Sequence, residues 1–241
     1  GGAQMRSFSG DFDESNGGAI VAGSGNAGRV DVVVSGQATL SGGAPGRPTG
    51  LFAETRGSGA GGDVSLRAAV LQLTDGATIS SSSLGSGIAG NIEIDLSDSL
   101  DMRGGIIATR ALSSDGGNIA VLAPRLIRLT DSQITTSVQS GVGGGGNIFI
   151  DPQFVILQNS QIVANAFGGP GGNIRIVAGQ LIADPATAIT ASSTLGIDGS
   201  VNIDAPDTDV SAGLAVLPAS FLDAASLLRA GCSGARAGLS S

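Results

Sequence analysis

Histidine, lysine, tyrosine and tryptophan are missing from all 241 residues, cysteine occurs once, and the only aromatics are seven phenylalanines. Each absence removes a chemistry. Without histidine there is no imidazole base, no Ser-His-Asp or Cys-His triad and no His-ligated zinc. Without lysine there is no Schiff base and no phosphate-loop lysine. A single Cys, Cys232, forms no internal disulfide and no Cys-rich metal site. All 12 positive charges are Arg, set against 20 carboxylates for a net charge of −8. An acidic chain without Tyr or Trp lacks both the basic footprint and the stacking platforms of a nucleic-acid binder, so no nucleic-acid partner is expected. No apolar run approaches the 18 residues of a transmembrane helix. The chain opens with Gly1-Gly2-Ala3. With neither an initiating Met nor a leader, it is expected to be an excised fragment whose export signal lies upstream.

What is abundant is glycine, 41 residues against an average usage of about 7%. Collagen would need Gly at every third position, whereas here the glycines cluster at intervals of roughly 25 to 30 residues. Disorder would need low hydrophobicity, whereas 41% of residues are hydrophobic and the mean hydropathy is +0.30.

A fixed period explains the clusters. The pattern Gly-polar-aliphatic-x-aliphatic occurs seven times, with its polar residue at Arg29, Asp63, Asn91, Asn118, Asn147, Asn173 and Ser200. The steps are 34, 28, 27, 29, 26 and 27 residues. A second aliphatic segment begins about eight positions on (Leu71, Leu100, Leu126, Phe154 or Val155, Leu181), and a third about sixteen on (Ile79, Ile106, Ile134, Ile162, Ile189). A Gly/Ser-rich stretch then returns the chain to the next copy. Each repeat reads as three short strands separated by tight turns, with Pro124, Pro152 and Pro206 at one corner. No such unit buries its apolar face alone, so the copies must stack, like strand on like strand, about 4.8 Å apart. The expected fold is all-β, a right-handed parallel β-helix (β-solenoid) with about 27 residues per three-stranded coil. About eight coils would give a rod of about 35 to 40 Å.

Two regions depart from the period. The long first step places a loop insertion at 41–50. From residue 207 the repeat ends, so the array is assigned to 1–206 and a C-terminal tail to 207–241. Within the tail, residues 218–230 carry Pro218 near their start and Gly231 just beyond, with Phe221, Ala224, Ala225 and Leu228 on one helical face. They read as a short helical cap, able to cover a strand edge that would otherwise invite pairing.

Polar candidates follow from the stacking. Asn91, Asn118, Asn147 and Asn173 are expected to pass hydrogen bonds from coil to coil as an amide ladder, beside a buried column of Ile92, Ile119, Ile148 and Ile174. The alternative use of that ladder is a polar ligand track. Asp75, Asp131 and Asp184 sit at a related corner and read as turn formers. Stacked carboxylates bind Ca²⁺ elsewhere, but adjacent copies carry Arg103-Gly104 and Asn159 instead of acids. Asp95, Asp98 and Asp101 with Arg103 form the nearest approach to an acid/base cluster. Asp95 should point outward and Asp98 should lie in a turn, so they read as a solvated face and not as catalytic residues. Arg125 with Arg128, and Arg47 with Arg56, are small basic spots. Thr130, Thr135, Thr136, Ser80 to Ser83 and Ser192-Ser193 suggest hydroxyl-rich outer faces. No catalytic residue, metal site or cofactor is assigned.

Taken together, Leu71 to Ile92, Leu126 to Ile150 and Phe154 to Ile176 resemble the repeats of filamentous-haemagglutinin-type large exoproteins, the substrates of two-partner secretion. The resemblance covers about residues 17 to 205, and Phe221 to Ala235-Arg236 is similar to that family's carboxy-terminal tail. It implies a non-enzymatic structural or adhesive rod segment, secreted or held at the surface of a Gram-negative-type cell. It also implies two kinds of partner: an outer-membrane transporter, engaged through an upstream domain absent from this sequence, and a host or neighbouring-cell surface, glycan or matrix. The competing expectation is a carbohydrate-active β-helix or a glycan-binding module, because polysaccharide lyases and polygalacturonases also occupy this architecture.

Overall fold

The computed structural model describes residues 4–9, 11–13, 19–21, 24–44 and 47–206. The expected helical cap at 218–230 and the rest of the tail lie outside them. The described residues contain strands, turns and bends and no helix. Three ladders of parallel strands run through the coils.

The first ladder takes Val30–Val33, the start of Val64–Thr74 and of Ile92–Arg103, then Ile119–Leu122, Ile148–Asp151, Ile174–Val177 and Val201–Asp204. The second takes Gln37–Ser41, the ends of the two long strands, then Leu126–Thr130, Phe154–Gln158 and Gln180–Ala183. The third runs from Gln4–Ser9 through Gly50–Thr55, Thr78–Ser83, Ile106–Ala111, Gln133–Val138 and Gln161–Asn165 to Ala188–Thr190. The expected β-solenoid is therefore present, in register with the sequence repeat. Val30, Val64, Ile92, Ile119, Ile148, Ile174 and Val201 occupy one column. These are seven levels in six steps, a rise of about 29 Å at strand spacing, where about eight coils were expected.

Alternation fixes the core. In the first ladder the residues in the register of Ile92 and Ile94 face inward, those of the second in the register of Leu71 and Leu73, and those of the third in the register of Ile79. From Val30 to Ile176 these columns form a single buried cluster. Ile92, Ile119, Ile148 and Ile174 are each 1% exposed. A side chain on this inner face touches its counterparts one coil above and below, so each coil closes its neighbours' apolar surface.

The corner between the first and second ladders departs from the expected short strands. Val64–Thr74 and Ile92–Arg103 run straight through it, so two of the three ladders join in one sheet. The reason is local. Other coils place Gly36, Pro124, Pro152 or Gly179 at this corner, and proline cannot donate to a ladder while glycine weakens one. Ala68-Ala69 and Ser97-Asp98 impose neither break. In the second long strand the register shifts between Leu96 and Ser99, which seats Asp98 in a bulge within a strand and not in the expected turn. The insertion at 41–50 contains a small antiparallel hairpin, Gly43 to Pro48 and Ala44 to Arg47. A second hairpin pairs Asp11–Asp13 with Ala19–Val21.

Candidate functional site

The polar residue that opens each first strand faces solvent, and from Asp63 onward each is linked to its equivalents. Asn91 donates from its backbone N and Nδ2 to Oδ1 of Asp63, at 2.8 and 3.2 Å. Asn118 donates in the same way to Asn91 Oδ1, Asn147 to Asn118 Oδ1, and Asn173 to Asn147 Oδ1, all between 2.9 and 3.2 Å. Ser200 closes the series with its N and Oγ on Asn173 Oδ1, at 3.2 and 2.7 Å. The direction of the ladder follows from its first member. An ionised carboxylate only accepts, so Asp63 turns the Asn91 amide nitrogen toward itself and leaves Asn91 Oδ1 for the next coil. Each Oδ1 thereby takes two donors from the coil that follows.

A second polar column lies inside. Ser81, Thr109 and Thr136 occupy one inward-facing register position of the third ladder, each fully buried. Their hydroxyls donate to the carbonyls of Gly62, Gly117 and Gly146, at 2.8, 2.7 and 2.8 Å. Those glycines precede the polar residue that opens the next coil, except that Ser81 and Gly62 belong to neighbouring turns. The sequence suggests hydroxyl-rich outer faces for Ser80 to Ser83 and Thr136. The structure differs: alternation turns Ser81, Ser83 and Thr136 inward, and Ser80 and Ser82 are buried as well. Thr135 and Thr130 do face outward, half-buried. A serine run carries no hydrophobic alternation, which is why the inward members were missed. Thr55 and Ser83, neighbours at the next inward position, have buried hydroxyls without a hydrogen-bond partner.

The corner before the third ladder holds Asp75, Asp131 and Asn159 at φ of 57°, 50° and 47°, with Gly104 at 67° in the intervening coil. Short Asx side chains tolerate this left-handed region, so these residues make the turn. Asn159 Nδ2 donates to Asp131 Oδ1 at 2.6 Å, and Asn159 N to Asp184 Oδ2 at 2.9 Å. The Asp184 carboxyl is held below the usual carboxylate range, first by the Thr187 hydroxyl, which donates to it at 2.7 Å. No group of three or more His, Cys, Asp or Glu stands ready to hold a metal among the described residues.

The three acids Asp95, Asp98 and Asp101 are separated by the bulge. Asp98 accepts from Arg125 Nε, and from an Arg125 terminal nitrogen at 2.7 Å, and this bidentate pair depresses its pKa. Asp101 accepts from Arg103 at 3.2 Å. Asp95 instead lines an open groove of about 540 Å³ at the corner between the first and second ladders, with Leu122, Pro124, Asp151, Gln153 and Gly179. Arg67, Asp95, Leu122 and Asp151 follow one another across adjacent strands, with Arg67 Nε 3.8 Å from Asp95. The two carboxylate-bearing backbones stand two strands apart, about 9.6 Å. Asp151 was not singled out from the sequence. Its only signal is a separation of 56 residues from Asp95, two coils of 27 and 29, which is visible once registers are known.

These features define a parallel β-solenoid whose polar networks run along the coils, outside through Asp63 to Ser200 and inside through Ser81 to Thr136. No family model, curated protein sequence or solved structure matches the chain.

Proposed function

We propose that the chain is a non-enzymatic rod segment of a secreted or surface-attached exoprotein, displaying contact surfaces for adhesion to a cell, glycan or matrix. The observation that carries this reading is the unbroken stacking of one aliphatic column through six steps, flanked by hydrogen-bonded columns on both sides of the wall. Bending such a stack would part many coil-to-coil bonds at once, so it transmits load and holds outward side chains at fixed intervals. The resemblance of Leu71 to Ile92 and its sister repeats to filamentous-haemagglutinin-type exoproteins adds the export route. In this reading an upstream secretion domain engages an outer-membrane transporter, and the chain folds outside a Gram-negative-type cell. The test is adhesion: beads coated with the protein are assayed on epithelial monolayers, extracellular matrix and glycan arrays. Retention on at least one surface, lost after heat unfolding, supports the reading, and no retention on any of them overturns it.

The groove at Asp95 and Asp151 favours a second reading, a carbohydrate-active site. Two carboxylates in one groove beside Arg67 have the composition such chemistry uses. Incubation with acidic and neutral polysaccharides, with and without Ca²⁺, decides it. Turnover that disappears in both Asp95→Asn and Asp151→Asn would replace the rod reading with an enzyme.

A further inference from the structure

The return loops between the third strand of one coil and the first strand of the next present a run of apolar side chains to solvent. Ile88 is 51% exposed, Leu112 38%, Val142 85%, Phe167 38%, Leu195 71% and Ile197 81%. The loops are stacked by backbone bonds: Leu84 N to Thr55 O, Leu112 N to Ser83 O, Ser140 N to Leu112 O and Leu195 N to Phe167 O. Their exit sides are stacked too, by Gly61 N to Ile88 O, Gly145 N to Pro170 O and Gly171 N to Ile197 O. The six side chains therefore lie along one edge of the solenoid, at the entry, middle or exit of successive loops and mostly among glycine and serine. Exposed apolar side chains in each of five successive return loops mark an interaction surface, unlike the single exposed leucines every protein carries.

The charge distribution selects the partner. In a chain of net charge −8, the stacked loops 84–90, 112–117, 139–146, 166–172 and 192–199 contain only two ionisable residues, Asp115 and Asp198. Asp115, midway along the edge, is exposed, with its Oδ1 accepting from Gly144 N of the neighbouring loop at 2.8 Å. Asp198 is exposed at the C-terminal end of the strip, where one oxygen accepts from Ser193 N at 2.8 Å. At the N-terminal end, beside Leu84, stands Arg56, exposed and without an ion pair among the described residues. Five strand spacings, about 24 Å, separate the two ends. A two-fold axis across the middle of the strip brings Arg56 of each copy onto Asp198 of the other and packs the apolar residues between them. Such an isologous arrangement needs a self-complementary surface, which opposite charges at opposite ends supply.

We infer that the return-loop edge is a self-association surface, through which two copies of this chain pair side by side in antiparallel orientation. The strip is one loop wide, so the pairing is weak and becomes strong only where many coils or many copies are held together.

Sedimentation equilibrium of the pure protein from about 10 μM to about 1 mM tests this, a range chosen for a Kd well above that of standard interfaces. The weight-average mass is expected to climb from 23.4 kDa toward twice that value. The triple variant Val142→Ser, Leu195→Ser, Ile197→Ser is expected to remain monomeric at every concentration with an unchanged Tm, because these side chains make no core contact. Arg56→Glu is expected to raise the apparent Kd at least about tenfold, and Arg56→Glu combined with Asp198→Arg to restore it, since a tenfold change is the scale of one charge pair across an interface. A wild-type protein that stays monomeric, or pairing that the triple variant leaves intact, overturns the proposal. Failure of the double charge swap to recover pairing overturns the antiparallel arrangement. Retention of the monomer on phosphatidylcholine vesicles, lost in the triple variant, would assign the strip to a lipid surface instead.

Discussion

Thr136 Oγ1, inside the solenoid, donates a 2.8 Å hydrogen bond to the carbonyl of Gly146, the residue from which the chain enters its next coil. The bond ties the third strand of a coil to the start of the first strand that follows, and Thr109 does the same for Gly117 one coil earlier. At the next inward position Thr55 and Ser83 carry equally buried hydroxyls with no partner, and further along that column the chain has switched to Ala111 and Val138. Opposite outcomes are expected from similar substitutions. Thr136→Val keeps the shape and removes a donor from a buried carbonyl, so it should cost about 1–3 kcal/mol. Ser83→Ala removes a hydroxyl that gains nothing in the folded state, so it should be neutral or stabilise by up to about 1 kcal/mol. Urea unfolding of both variants at constant slope checks the pair. Equal losses would mean that the Thr136 bond carries no special weight.

Glycine at the coil entrance is required by space and not by dihedral angle. A Cβ on Gly117 would lie 1.9 Å from the carbonyl oxygen of Gly90 in the preceding coil, and one on Gly146 1.9 Å from that of Gly117. Backbone cannot yield so far without separating the coils. Gly36, at the first-to-second corner, has nothing within 4 Å of an added Cβ and no positive φ. Gly117→Ala should cost more than about 3 kcal/mol or prevent folding, by forced overpacking. Gly36→Ala should be neutral to stabilising by up to about 1 kcal/mol, through a less flexible unfolded chain. Thermal melts of the two proteins, compared with the parent, decide the matter. A Gly117→Ala protein that melts with the parent would show that the coils have room to separate.

Periodicity carried most of the fold, because stacking demands that one residue type recur at one place in each coil. Gly-Asn-Ile-x-Ile exposes its own register, and the columns at Ile92 and Asn91 were readable for that reason. Features that do not repeat were hidden. Ser81, Thr109 and Thr136 share a role with two residue types, and a serine run offers no contrast between inside and outside. Whether a corner breaks the strand depends on Pro124 or Gly36 in one coil and on Ala68-Ala69 in another, so the merged sheet is a coil-by-coil outcome. The groove at Asp95 and Asp151 and the apolar return loops arise only between coils, from residues tens of positions apart with no shared motif. Such sites become visible when the register is known.

Ile148 sits between Ile119 and Ile174 in the inner column and is 1% exposed. Ile148→Asp would bury a carboxylate with aliphatic neighbours above and below and is expected to cost several kcal/mol. Ile148→Val, which removes one methyl group, should cost only about 0.5–1.5 kcal/mol. The two values, measured by denaturant unfolding, separate loss of packing from burial of charge. An Asp variant as stable as the Val variant would place residue 148 against water and undo the inside/outside assignment.

The Asp98–Arg125 pair gives stability a defined pH dependence. Arg125 lies one coil beyond the bulge at Asp98 and donates to both carboxylate oxygens, with one terminal nitrogen also 3.2 Å from Ser99 Oγ. Hydrogen bonding from Arg125 leads the causes that lower the Asp98 pKa, and the same contact raises that of Arg125. A carboxyl whose folded pKa lies below its unfolded value of about 3.9 binds fewer protons in the folded state. Its contribution is therefore complete above pH ~4 and drains away as pH falls through the folded value. Both side chains are largely solvated, so the effect is modest and screened by salt. Arg125→Met should lower the Tm at neutral pH, and the gap to the parent should close as the pH is brought from about 5 to about 2. Melts at those pH values, in low and in high salt, measure it. A gap that stays constant in acid would trace the loss to the packing of the Arg125 stem and not to its charge.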